Sequence, residues 1–118
     1  MITVTIKSIK GKVVIKSEGH ALFADKGQDI VCAAVSALIF SAIAFFDNGR
    51  KEIDIITCRT TENNIELVFY TKDTRMLAAV EFLETGIGLL TDQYPDHVKL
   101  ISSHDTDYDY GLLGRNSD

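Results

Sequence analysis

The chain has no tryptophan, one proline and only two cysteines among its 118 residues. Each scarcity excludes something. Two cysteines cannot build a disulfide framework, and Cys32 and Cys58 lack the CxxC spacing of a structural zinc site. No proline- or glycine-rich linker, internal repeat or low-complexity segment appears before the last dozen residues. A chain of this length then suits one domain around one core. A broad basic stripe, which a nucleic-acid surface needs, is also missing. Net charge is −5, from 17 acidic and 12 basic residues, so no direct nucleic-acid partner is expected. The opening MITVTIK lacks the apolar centre of a secretory signal, and the expected compartment is cytoplasmic. One uncharged run, 30–46, falls just short of the ~20 residues that span a bilayer. Alanines and two serines dilute it and no basic flank adjoins it, so a buried helix is expected and no membrane partner.

What is present divides into seven elements. Ile2, Val4 and Ile6 alternate with polar residues at the period of a half-buried strand. Gly11 marks a turn, and the β-branched run Lys12 to Ser17 reads as a second strand. A loop, 18–28, is flanked by Gly19 and Gly27. Asp29 can cap a helix from Ile30 to Phe46, because its carboxylate accepts the unpaired N–H groups of the first turn. Asp47-Asn48-Gly49 reads as a left-handed stop. Residues 52–59 and 65–71 form a second strand pair across Glu62-Asn63-Asn64. Asp73 caps a second helix, whose apolar stripe is Met76, Val80, Leu83, Ile87 and Leu90. Val98 to Ser102 supplies the last strand. The order ββαββαβ predicts an α+β, two-layer sandwich: a mostly antiparallel sheet with two helices on one face. The domain occupies 1–102, and 103–118 is a polar, acidic tail. The first helix is apolar nearly all round, which implies a further apolar neighbour and predicts a homodimer formed through helices.

The chemistry-bearing residues gather around the first helix start. Capping by Asp29 places Cys32 in the first turn, where the positive end of the helix dipole favours thiolate over thiol. Thiolate is the attacking species in cysteine catalysis. His20, at a strand end, can fold over the helix start as general base and then general acid. Ser36 lies one turn beyond Cys32 on the same face. Backbone N–H groups from Gln28 to Cys32 are candidates to hold an oxyanion. Gly19 and Gly27 supply hinge freedom, and Phe23 is a candidate contact for an apolar substrate side chain. Other roles stay open on residue type alone. Free cysteine also fills cores, His20 can anchor a loop, and Ser36 can permit close helix packing. Cys58, on a strand, is expected in the core. His20 and Cys32 lack further ligands, so no metal and no cofactor is expected.

One ordered block goes further. Gly19-His20-Ala21, followed by Gly27-Gln28-Asp29-Ile30-Val31-Cys32-Ala33-Ala34-Val35-Ser36, resembles the signature of the ribosomal-processing cysteine protease family (Prp), with no departure inside the motif. Length and element order agree with that resemblance over everything but the tail. The resemblance implies a homodimeric cysteine endopeptidase with His20 and Cys32 as catalytic pair and Asp29 and Ser36 in support. It implies, as substrate, the N-terminal extension of large ribosomal subunit protein 27, whose removal supports ribosome assembly. Two other readings use the same residues: a non-catalytic ribosome-associated peptide-binding dimer, and a redox-sensing dimer acting through Cys32.

Overall fold

The computed structural model describes residues 1–20, 22, 24, 25 and 29–105. Strands β1 (Ile2–Ile9) and β2 (Lys12–Gly19) form the first hairpin. Lys10 and Gly11 both take positive φ, 52° and 81°, the conformation a two-residue hairpin turn requires to match strand twist. Helix α1 spans Ile30–Asn48. Strands β3 (Ile53–Thr61) and β4 (Asn64–Thr71) form the second hairpin, helix α2 spans Thr74–Gln93, and β5 is Val98–His104. The sheet order is β3-β4-β2-β1-β5. All neighbouring pairs are antiparallel except β1 with β5, which run parallel; α2 carries the chain from β4 across to β5 at the opposite edge. The expected α+β architecture and element order are therefore present.

Alternation along the strands sets the two faces. Ile2, Val4 and Ile6 of β1, Val13 and Ile15 of β2, and Leu67 and Phe69 of β4 are buried under the helices. From α1, Val31, Val35, Ile39 and Phe46 meet them; from α2, the stripe Met76, Val80, Leu83 and Ile87 does. Phe46 stacks against Phe69 with ring centroids 4.8 Å apart, joining helix to sheet at the end far from the α1 start. Helix α1 has the length and apolarity of a bilayer-crossing segment, but its sheet-facing side is part of this core.

Three details differ from the sequence expectation. Gly49 ends α1 at φ −100°, outside the left-handed region, and its N–H donates to the Phe45 and Phe46 carbonyls. Its small size matters for packing instead, since a Cβ there would stand 2.7 Å from the Met76 methyl carbon. The last strand continues two residues past Ser102. Beyond it, the Asp105 N–H donates to the Ser8 carbonyl (2.8 Å), and its carboxylate accepts the Lys10 N–H (2.9 Å). His104 meets Glu84 of α2 at 2.9 Å. Finally, Cys58 is exposed rather than buried. It faces the helix side of the sheet, paired with Leu67, but β3 is an edge strand that overhangs the helical layer. The rest of the expected tail, 106–118, lies outside the described residues.

Candidate active site

The local chemistry begins at the α1 cap. Asp29 is extended (φ −82°, ψ 97°), and its Oδ1 accepts N–H groups from Val31 at 3.0 Å and Cys32 at 2.9 Å. Its carbonyl accepts the Ala33 N–H at 3.1 Å. One residue therefore satisfies most of the first-turn donors and fixes Cys32 at the helix start. Cys32 is half-buried and rests against the core. This arrangement narrows one expectation. The N–H groups of Val31 and Cys32 are engaged by Asp29 and are not available to an oxyanion in this conformation.

His20 follows the end of β2. Gly19 before it has φ +95°, and a Cβ at that position would run into the Met1 carbonyl oxygen. Only glycine fits this crossing of β2 beside the N-terminus. The Gly19 N–H donates to the Asn63 carbonyl at 3.1 Å, which ties the strand end to the β3–β4 turn.

These elements enclose a cleft of about 550 Å³ whose lining includes Gly19, His20, Asp29, Cys32 and Ser36. The fold thus brings five of the residues selected from the sequence onto one cleft. Ser36 is exposed one turn after Cys32. Phe23, Gly27 and Gln28, also expected at this site, lie outside the described residues. Among the described residues no group of three or more His, Cys, Asp or Glu side chains is placed to hold a metal ion.

The far wall was not legible in the sequence. Glu62, Asn63, Asn64 and Ile65 line the cleft opposite α1. They come from the second hairpin, and the register Glu18↔Asn64 and Ser17↔Ile65 delivers them beside His20. No local signal marks them, because their place depends on which strands become neighbours.

A cysteine in the first turn of a capped helix, a histidine on the same cleft, and an open wall beyond them suit nucleophilic attack on an extended peptide. Comparisons with known proteins agree. The family described as "Cysteine protease Prp" matches residues 1–99. A ribosomal processing cysteine protease Prp from Mycoplasma pneumoniae is 53% identical over 98 residues, covering 83% of this chain and 91% of that protein. Its counterpart from Mycoplasma genitalium is 34% identical over 86 residues, covering 70% and 80%. In fold, the chain is similar to an essential ribosomal processing protease Prp from S. aureus, solved with a covalently linked product peptide. The TM-score is 0.76 at 24% identity, over 87% of this chain and all of that one.

Proposed function

The chain belongs to the Prp family of cysteine proteases, and from that premise we propose that it uses Cys32 as nucleophile and His20 as general base and acid to process a ribosomal protein. The observation carrying this assignment is the shared cleft: Cys32 held at the capped start of α1, with His20 on the same lining. Cys32 Sγ attacks the scissile carbonyl carbon as His20 takes the thiol proton. The C–N bond then breaks, His20 protonates the leaving amine, and water hydrolyses the thioester to free the second product and the thiol. Asp29 works by holding the helix start, and Ser36 by lining the cleft one turn on.

The relatives are named for ribosomal processing. For this chain we propose the N-terminal extension of large ribosomal subunit protein 27 as substrate, cut in the cytoplasm. A homodimer also belongs to this reading. Phe40 on α1 and Phe82 and Leu89 on α2 leave apolar surface on the outside of the helical layer, at 48%, 76% and 59% exposure. A second copy covering that face would remove it from water.

The test is cleavage of a peptide spanning the extension junction. Wild type and Cys58→Ser cut it; Cys32→Ser and His20→Ala lose activity by at least a hundredfold while remaining folded. Normal turnover by Cys32→Ser would overturn the assignment.

A further inference from the structure

Strand β3 is the sheet's edge beyond β4, and among the described residues no chain pairs with its outer side. It is nine residues long and almost wholly exposed; of its residues only Ile53 is buried. Edge strands of this length normally carry charges or proline that discourage pairing. β3 carries charge only at Asp54 and Arg59 and no proline, and the four residues between those two are uncharged. It carries Ile55, 38% exposed, and Ile56, 54% exposed. The register shift between Ile55 and Thr57 leaves Ile56 without a partner on β4. Two isoleucines and a row of unpaired backbone groups therefore face water on one edge.

This edge is continuous with the cleft. β3 ends at Thr61, and the next residues, Glu62 to Ile65, form the cleft wall opposite Cys32. On the other side of the overhang, helical spacing places Ile43 on the flank of α1 that carries Cys32 and Ser36. A peptide leaving the cleft past the hairpin turn meets backbone donors and acceptors in strand geometry, with apolar side chains beside them.

Resting on the protease reading above, we propose that the β3 edge is a second binding site, pairing as an added strand with an extended, apolar segment of the substrate that lies outside the cleft. Main-chain pairing supplies attraction without sequence demands, and Ile55 and Ile56 select apolar residues at the matching positions.

The test compares three peptides: a short one confined to the residues around the cut, and two long ones extended by an apolar segment before or after it. Ile55→Asp and Ile56→Asp should raise KM for one of the long peptides about tenfold or more, with kcat unchanged. Turnover of the short peptide should stay at the wild-type rate, which also reports that the variants fold. Equal loss on short and long peptides would mean that the edge is only structural, and an unchanged KM for both long peptides would mean that it binds nothing. A fall in oligomeric mass by light scattering would mean that a second copy occupies it. Any of these overturns the proposal. Hydrogen exchange of Cys32→Ser protein gives an answer independent of cleavage. One of the long peptides, but not the short one, should slow exchange of amides 54–60. Absence of that protection also overturns the proposal. If wild type cuts none of the peptides, the protease reading fails while the exchange result still decides the edge.

Discussion

Two residues hold the reacting groups in place without reacting. Asp29 accepts from two first-turn donors, so Asp29→Ala should cost about 1 kcal/mol of stability, the usual loss of a good N-cap. Asp29→Asn keeps an accepting oxygen and should retain most of that stability. Thermal melts of the two variants check this. Gly19 sits at φ +95° against the Met1 carbonyl. Gly19→Ala should cost about 1–3 kcal/mol in backbone strain and displace His20, lowering kcat more than the melting temperature alone would explain. Stopped-assay kinetics beside a melt separate the two effects. Only one of these two roles was legible in the sequence. The cap was legible because a carboxylate before an apolar run has few other uses. The need for glycine at position 19 was not, because it arises from the N-terminus crossing beside β2.

Elements divide along the same line between local and distant causes. Both helices begin at the expected caps, Asp29 and Asp73, each accepting from two backbone donors. The buried stripe of α2 follows its sequence spacing. The strand hairpins are likewise local, fixed by short turns. The exposure of Cys58 and the length of β5 are not local. Cys58 was expected in the core because a free cysteine on a strand usually packs inward, yet the helices stop short of β3. β5 runs on to His104 because distant groups hold its end: Glu84 on α2, Ser8 on β1 and the Lys10 turn. Asp105→Ala removes the acceptor for the Lys10 N–H, so exchange at that amide should accelerate at least tenfold while the strand centre stays protected. Hydrogen exchange followed by NMR checks this. An unchanged Lys10 amide would mean that Asp105 does not hold the turn.

At the scale of the whole molecule, the sheet order decides what the site becomes. Pairing β2 with β4 carries the second hairpin to the far side of the cleft, and no pattern within 62–65 announces it. The apolar outer helical face predicts a dimer of twice 13.0 kDa in light scattering at micromolar concentration. Monomer throughout that range would mean that the face is tolerated in water. The central claim is that this fold makes Cys32, and not Cys58, the nucleophile. Exposure alone favours the opposite order, since Cys58 is exposed and Cys32 is half-buried. The most direct measurement is therefore peptide mapping by mass spectrometry after treatment with a chloromethyl ketone built on the sequence before the cut. The account predicts one adduct per chain, on Cys32, with labelling slowed by His20→Ala. Labelling of Cys58 in preference to Cys32, or equal labelling of both, would contradict it.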